Sequence, residues 1–350
     1  MRQIVVTGLT LATAVAVGVI SWAGESRDAL RRFELTQSHM GTRFRIVLYA
    51  DSEAVANRAA TAAMQRIAAI DASLSDYKAD SELRRISAAS PMTDPMAVSD
   101  DLWNVLSHAQ RLSAVSGGAF DVTVGPYSRL WRRARRRKEL PTAELLATAR
   151  ERVGHRHVRL DSCGQSVQLL APGMQLDLGA IAKGYAADEA LAALRSHGID
   201  AALVDASGDI VASDPPPNKA AWNIQVAGLG ESRADEGSLK AGGRMQIANR
   251  AIATSGDLYQ HVEMDGRRYS HIIDPRTGIG IPGQTSVTVI APNGMMADSL
   301  ASAISVLGVE EGLRLAAETP NVACRFEWIE EGGTRHRRDT ANFQQYVNEQ

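Results

Sequence analysis

The sequence predicts an α+β fold, and its 350 residues are compatible with one large domain or two ordinary ones. Some segments have the period-two apolar pattern of strands, and others have the three- and four-residue spacing of amphipathic helices. These segments do not alternate regularly, which argues against a doubly wound parallel sheet. With 45% apolar residues, a chain of this length can bury a core, and its two cysteines exclude a disulfide framework.

The first segment along the chain has the composition of an export signal. Residues 4–22 carry no charge and follow Arg2, and the small residues Ala23 and Gly24 come where a signal peptidase would cut. Residues 1–24 are therefore predicted to be a signal peptide or, if uncleaved, a membrane anchor, since the run is close to the roughly 20 residues that span a bilayer. No cysteine follows the run, so the protein is not expected to be a lipoprotein. We expect a periplasmic or otherwise extracytoplasmic protein, free or anchored to the inner membrane.

The domain is predicted to open with a strand followed by helices. Phe44, Ile46 and Leu48 lie on one face of a strand over 43–50. Apolar residues at helical spacing over 52–73 predict an amphipathic helix that covers the sheet. A second helix is predicted over 99–115, because the glycines at 117–118 can adopt the left-handed conformation that ends a helix.

The second half of the chain contains a loop, a strand and a helix. The three prolines at 215–217 cannot lie inside a helix or a central strand, so they mark a surface loop. Residues 286–291 are predicted to form a buried strand. Residues 295–307 are predicted to form a helix that begins after the capping residue Asn293 and ends at Gly308.

A basic segment and the overall charge bear on the choice of partner. Residues 129–138 contain seven basic side chains in ten, whereas the whole chain has a formal net charge of −2 and 5% aromatic residues. That balance gives no support for nucleic-acid binding. The simplest interpretation of 129–138 is a solvated surface helix or loop, and the alternative is a docking surface for an anionic partner or a membrane.

Two glycine-containing stretches have the character of ligand-facing loops. In 118–126 the glycines allow close backbone approach and Asp121 offers two acceptor oxygens, although a plain turn explains the pattern equally well. In 176–185 a turn leads into a helix start that contains Lys183. Unpaired amide donors at a helix start attract phosphate, and a lysine adds a full positive charge. The spacing is not that of a P-loop, and a structural turn with a solvated lysine is the alternative.

Two further stretches contain side chains for acid–base and metal chemistry. His271 follows a hydroxyl pair and precedes an Asp-Pro turn, so it is a candidate general base, and the alternative is a hydrogen-bonded structural histidine. Asp298 and Ser302 are four residues apart in a predicted helix and therefore lie on one face. A carboxylate beside a hydroxyl is half of a site for a hard cation such as magnesium, and the alternative is a helix cap or a polar stripe.

Together these stretches resemble the ApbE family of FAD:protein FMN transferases. The resemblance implies one catalytic domain of T-fold-like architecture, assigned to 33–335 and followed by a polar tail over 336–350. It also implies export. The matching pieces occur in family order and are 40–42, 75–77, 81–83, 118–126, 176–185, 254–256, 270–278 and 297–302.

The resemblance also implies which residues hold the ligands. A magnesium ion beside the pyrophosphate of FAD would be held by the main-chain carbonyl of Ala180 and by the side chains of Asp298 and Ser302, where the family usually has threonine at the last position. His271 is the candidate base for the incoming hydroxyl, and Asp274 is a second candidate or its orienting partner. The residues that would contact FAD are Met40, Tyr77, Ala119, Phe120, Asp121, Asp177, Lys183 and Ser270.

The implied reaction transfers FMN to a protein. A threonine or serine hydroxyl of the partner attacks the phosphorus on the riboflavin side of FAD, and AMP leaves. The expected acceptor is a subunit of a membrane redox protein. Two other functions would use the same site. One is that of an FAD-binding carrier without transferase activity, and the other is that of an FAD pyrophosphatase that gives FMN and AMP.

Overall fold

A computed structural model describes residues 30–229, 243–256, 261–264, 267–330 and 332–348. The segment 1–24, predicted to be a signal peptide or an anchor, lies outside these residues. No helix within the described ranges is long and apolar enough to cross a bilayer.

The described residues form seven α-helices and seventeen strands. The helices are α1 (Glu53–Leu74), α2 (Glu82–Ala88), α3 (Asp100–Val115), α4 (Gly125–Arg137), α5 (Ala143–Arg150), α6 (Ala182–Ser196) and α7 (Gly294–Glu318). The strands are β1 (Arg31–His39), β2 (Thr42–Ala50), β3 (Met96–Ala97), β4 (Val158–Asp161), β5 (Ser166–Leu169), β6 (Ala202–Ala206), β7 (Asp209–Ala212), β8 (Trp222–Gln225), β9 (Arg244–Ile247), β10 (Arg250–Gly256), β11 (His261–Met264), β12 (Arg267–Asp274), β13 (Ile279–Pro282), β14 (Gln284–Ala291), β15 (Ala323–Ile329), β16 (Arg335–Asp339) and β17 (Val347–Asn348).

An eight-stranded sheet, ordered β1-β2-β6-β7-β10-β14-β15-β16, lies at the centre of the molecule, and each neighbouring pair is antiparallel. β2 and β14 confirm the strands predicted over 43–50 and 286–291. In β2, Phe44, Ile46 and Leu48 pack in one core and Val47 packs in another, so the sheet is buried on both faces. The mixture of helices with an antiparallel sheet confirms the predicted α+β class.

Helices α1, α6 and α7 cover one face of this sheet. Ser52, Ser99 and Asn293 cap α1, α3 and α7, because each side chain accepts a hydrogen bond from the backbone N–H three residues further on. Gly308, at φ 79°, interrupts α7 where the sequence predicted the helix to end, and a further helical segment follows it. The three helices predicted over 52–73, 99–115 and 295–307 are therefore confirmed.

A three-stranded sheet of β8, β9 and β17 covers the opposite face. Within the polar tail predicted over 336–350, the described residues contribute to strands, since β16 pairs with β15 and β17 pairs with β9. Between these strands Phe343 is fully buried in the second core. One large apolar side chain thus anchors a segment whose composition is otherwise polar.

Candidate active site

A cavity of about 410 Å³ opens where α4, α6 and α7 meet the β12–β13 hairpin. The lysine turn at 176–185 and the pair on α7 are far apart in sequence, yet both contribute to its lining. The lining contains eleven of the thirteen predicted site residues, whose roles toward a ligand stay predictions. These eleven are Tyr77, Ala119, Phe120, Asp121, Asp177, Ala180, Lys183, Ser270, His271, Asp298 and Ser302.

Lys183 lies in the first turn of α6 and forms an ion pair with the buried Asp209 at the start of β7. Burial by itself would lower the pKa of Lys183, but the charges of Asp209 and Asp298 outweigh that effect and raise the pKa, so the ammonium group stays charged. A charged lysine at a helix start, inside a cavity, favours an anionic ligand group. This environment supports the phosphate-binding interpretation of 176–185 over that of a solvated lysine.

Asp298 is a carboxylate of α7 that is only 6% exposed. One of its oxygens accepts a hydrogen bond from the Gly184 N–H at 3.1 Å. Burial and the nearby Asp209 raise the pKa of Asp298, and Lys183 acts in the opposite direction. When both carboxylates are ionised they carry one negative charge more than the ammonium group offsets, and a bound divalent cation would neutralise this excess.

The donor atoms predicted for magnesium fit a hard cation. Ala180, Asp298 and Ser302 all line the cavity, and their carbonyl, carboxylate and hydroxyl oxygens are the ligand atoms that magnesium prefers. Three protein donors leave coordination positions for water or phosphate oxygens. The described part of the chain holds no group of three or more His, Cys, Asp or Glu side chains arranged for a metal. The predicted magnesium ligands include only one carboxylate, that of Asp298, so they do not form such a group.

A close contact between two glycines sets the position of Asp298 relative to α6. A Cβ atom on Gly184 would lie 2.1 Å from the carbonyl oxygen of Gly294 and 2.9 Å from the Cβ of Asp298. Asp188, one turn further along α6, accepts hydrogen bonds from the N–H groups of Gly294 at 2.6 Å and Met295 at 2.9 Å. These contacts fix the start of α7 against α6 and thereby place the Asp298 carboxylate near Lys183.

Arg132 on α4 lines the cavity, although it belongs to the basic segment 129–138 that was predicted to be either a solvated surface or a docking surface. Its guanidinium forms ion pairs with Asp76 at 2.7 Å and Asp177 at 3.1 Å and lies 4.5 Å from the centre of the Tyr77 ring. Tyr77 is 76% exposed, and this cation–π contact helps to hold its ring beside the cavity. Helical spacing could have identified the residue, since the cavity residues of α4 recur at three- and four-residue intervals: Ser128, Trp131, Arg132 and Arg135.

Asp121 lines the cavity, but its carboxylate also holds the surrounding loop together. One oxygen accepts hydrogen bonds from the Thr123 N–H at 2.8 Å and the Thr123 hydroxyl at 2.7 Å. The other oxygen accepts the His155 N–H at 2.6 Å. Asp121 therefore stabilises the loop that carries Ala119 and Phe120 into the cavity wall.

The β12–β13 hairpin brings Ser270 and His271 to the cavity. Trp131 is buried under this hairpin and donates its indole N–H to the Gly278 carbonyl at 2.8 Å. This hydrogen bond joins α4 to the hairpin. The half-buried His271 therefore lies on a strand that is fixed in place. This position is compatible with the predicted role of His271 as a base.

Two predicted site residues, Asp274 and Met40, are not among those that line the cavity. Asp274, at the end of β12, accepts hydrogen bonds from the Arg276 backbone N–H at 2.9 Å and from its guanidinium at 2.9 and 3.0 Å. These contacts stabilise the hairpin turn and weaken the case for Asp274 as a base. Met40 occupies the turn between β1 and β2, at φ 52°, and packs against the main core.

The fold and the cavity define an α+β protein whose lysine, buried carboxylates and exposed aromatic ring suit an anionic, ring-bearing ligand with a divalent cation. The chain belongs to the ApbE family, which it matches over residues 40–326. An FAD:protein FMN transferase of Haemophilus influenzae is 32% identical over 322 residues, which are 89% of this chain and 90% of that protein. The Vibrio cholerae serotype O1 protein of the same name is 36% identical over 246 residues, 69% of this chain and 71% of its own.

Solved structures confirm the predicted ApbE-like architecture. The apo form of the Pseudomonas stutzeri flavinyl transferase ApbE aligns with a TM-score of 0.77 and 28% identity, over 91% of this chain and 97% of that one. The ApbE protein of Thermotoga maritima also aligns with a TM-score of 0.77 and 28% identity, over 91% of this chain and 100% of that one.

Proposed function

We propose that this protein is an exported, magnesium-dependent FAD:protein FMN transferase that moves FMN from FAD onto a threonine or serine of a membrane redox subunit. The observation that carries the proposal is the convergence of Lys183 with the pair Asp298 and Ser302 in one cavity. Membership of the ApbE family and the names of the relatives support the same reaction. The composition of 1–24 supports an extracytoplasmic location, in the periplasm or at the inner membrane.

FAD would bind with its diphosphate near Lys183 and with a ring system against Tyr77. The ammonium group supplies positive charge where the diphosphate needs it. The Tyr77 ring, exposed and supported by Arg132, offers a flat surface for stacking. Ala119 and Phe120 provide an apolar wall beside it.

Ala180, Asp298 and Ser302 would hold the magnesium ion. When bound, this ion supplies charge neutralisation on the diphosphate and on the departing AMP, the main requirement of phosphoryl transfer. Lys183 contributes to the same neutralisation, and its ion pair with Asp209 keeps it charged and oriented.

The acceptor hydroxyl must lose its proton as it attacks phosphorus. We assign this proton to His271, which lines the cavity from the anchored hairpin. The new bond joins the hydroxyl oxygen to the phosphorus on the riboflavin side. The bond from that phosphorus to the bridging oxygen breaks, and AMP leaves with the bridging oxygen.

The test combines the purified protein with FAD, magnesium chloride and an acceptor subunit that an ApbE-family enzyme flavinylates. Mass spectrometry should find FMN joined to the acceptor, with one AMP released for each FMN, and chelation of magnesium should stop both. The absence of an adduct while FAD is bound contradicts the proposal. Free FMN and AMP without an adduct would identify a pyrophosphatase, and FAD binding without AMP release would identify a carrier. Fractionation of cells that express the full chain tests export.

A further inference from the structure

The exposed surface of α4 is strongly basic, and the proposed transfer chemistry does not use it. We call this surface the α4 basic face. Residues 129–138 contain seven basic and no acidic side chains, whereas the rest of the chain contains 31 basic and 40 acidic ones. No ion pair joins the members of this face to the described part of the chain. The members of the α4 basic face are Arg129, Arg133, Arg136, Arg137 and Lys138, all of them exposed.

Packing determines which side chains α4 turns outward. Trp131 and Ala134 are buried, and the hydrogen bond from Trp131 to the Gly278 carbonyl fixes the rotation of α4 about its own axis. Arg132 and Arg135 line the cavity from the adjacent stripe of the same helix. The α4 basic face therefore lies next to the stripe of α4 that lines the cavity, so a protein segment bound to this face would lie close to the proposed transfer site.

FAD does not account for the α4 basic face. Lys183, Arg132 and Arg135 already supply positive charge to the cavity, whereas the members of the face do not line it. A membrane surface is also a poorer match, because every exposed position of α4 is an arginine and no exposed apolar side chain accompanies them. Arginine forks pair well with carboxylates, so an acidic protein segment fits this surface best.

We propose that the α4 basic face docks an acidic segment of the acceptor protein and so delivers the acceptor hydroxyl to the cavity. The proposal rests on the transferase function and names the chemistry of its protein substrate. Charge attraction of this kind acts mainly on encounter and affinity, so it should affect the KM for the acceptor and leave the chemical step unchanged.

The test compares wild type with a patch variant and a matched control variant. The patch variant carries Arg133→Gln, Arg136→Gln and Arg137→Gln. The control carries Arg58→Gln, Arg314→Gln and Arg337→Gln, three exposed arginines outside α4. With the acceptor subunit of the transfer assay, the patch variant should raise KM about ten-fold, as three exposed ion pairs of ordinary strength would, with kcat unchanged. An unchanged KM, or a fall in kcat alone, overturns the proposal.

A binding measurement keeps the inference separate from the transfer reaction. The probes are two fluorescein-labelled peptides of equal length, each with a central threonine. Aspartates flank the threonine in the acidic peptide, and serines flank it in the neutral peptide. By fluorescence anisotropy, wild type and the control variant should prefer the acidic peptide, and this preference should fall between about 0.05 and 0.5 M NaCl, where surface charges become screened. The patch variant should show no preference.

The outcomes distinguish the two proposals. Equal binding of both peptides by wild type overturns the docking proposal, whereas absence of an FMN adduct in wild type overturns the transferase function. Phosphatidylglycerol vesicles provide a third arm, and vesicle binding that the patch variant loses, without a peptide preference in wild type, would assign the face to membranes and overturn the docking proposal. Thermal midpoint and FAD affinity should be the same in all three proteins.

Discussion

At the scale of single residues, the charge balance of the cavity sets the chemistry of its ligand. Asp209 and Asp298 are 5% and 6% exposed, and Lys183 is the ammonium group that acts on both. Carboxylates this deeply buried are costly unless a cation compensates them. The excess negative charge therefore favours a divalent ion, and the ion together with the lysine favours a diphosphate.

Asp298 is the carboxylate of the predicted magnesium set. We expect Asp298→Ala to lower the transfer rate by about 100- to 1000-fold, the effect of removing one preorganised electrostatic contact. FAD affinity should change little, because the FAD contacts proposed near Tyr77 remain. Transfer kinetics and FAD titration check this. Ser305→Ala on the same helix, which removes a hydrogen bond to the Ala301 carbonyl, is the control. Equal activity in the two variants contradicts the metal assignment.

Ser302 differs from the threonine usual in the family by one methyl group, which restricts the first side-chain torsion. We expect Ser302→Thr to lower the magnesium concentration for half-maximal activity by roughly two- to three-fold, in line with a few tenths of a kcal/mol of rotamer entropy. A magnesium titration of the transfer rate measures this. Ser302→Val has the shape of threonine without the hydroxyl, so it should weaken magnesium binding and raise the magnesium concentration for half-maximal activity. If Thr and Val behave alike, the hydroxyl is not a ligand.

The sequence identified residues of the cavity that lie in contiguous motifs, and it missed those defined by distant partners. Lys183 and Asp298 stand in recognisable local patterns. Asp209 becomes a site residue through its ion pair with Lys183, and Arg132 becomes one through Asp76 and Asp177. No local pattern contains that information, because the contacts arise from the packing of separate elements.

At the scale of elements, the crossing of α6 and α7 holds the two halves of the site together. Both helices were visible in the sequence, α6 as the helix start in 176–185 and α7 as the helix over 295–307. The contact between Gly184 and Gly294 was not, since a glycine in a helical pattern indicates a close approach without naming the partner. The start of α7 is further fixed by Asp188, which accepts two of its N–H groups.

We expect Gly184→Ala to disturb this crossing. The new Cβ would lie 2.1 Å from the Gly294 carbonyl oxygen, a backbone atom that can move only with its helix. The free energy of unfolding should fall by about 1–3 kcal/mol, as overpacking usually costs, and the transfer rate should fall with it. Denaturant unfolding and the transfer assay measure both. In Gly164→Ala the nearest atom to the new Cβ is 3.4 Å away. Equal stability of the two variants would rule out this packing argument.

An ion-pair network joins α6 to α1 and α3. Arg66 pairs with Asp101 and with Glu189, the latter at 2.6 Å, and the Tyr185 hydroxyl donates to Asp101 at 2.6 Å. Burial by itself would raise the pKa of Asp101, but the hydrogen bonds from Arg66 and Tyr185 outweigh it and hold this pKa below its usual range. The network therefore contributes a stability that depends on pH.

A lowered carboxyl pKa stabilises the fold above the unfolded-state value, and this stability is lost as the pH falls through the folded-state pKa. We expect Asp101→Asn to cost about 1–2 kcal/mol at neutral pH, less than for a fully buried pair because Arg66 is partly exposed. The difference from wild type should shrink as the pH falls below about 4. Denaturant unfolding at several pH values measures it, with the exposed Asp80→Asn as control. A difference independent of pH would refute the ionic origin.

At the scale of the whole molecule, helices cover one face of the central sheet and a small sheet covers the other. The helical face could be predicted because long helices show their spacing clearly. The second layer could not, because β8, β9 and β17 have four residues or fewer and pair across long separations. β1 was missed as well, since most of its side chains are exposed and its apolar alternation is limited to Phe33 and Leu35.

Phe343 closes this second layer, and its removal tests whether the tail belongs to the fold. The ring is fully buried in the same core as Trp222, and its centre lies 4.6 Å from the buried guanidinium of Arg325. We expect Phe343→Ala to lower the free energy of unfolding by about 3–5 kcal/mol, the usual cost of the cavity left by a buried phenylalanine. Denaturant unfolding measures this, and the exposed Gln345→Ala is the control. Because the candidate active site is built on the helical face, the folded variant should bind FAD with unchanged affinity. Equal stability of the two variants would show that residues 336–348 are the loose polar tail that their composition suggests.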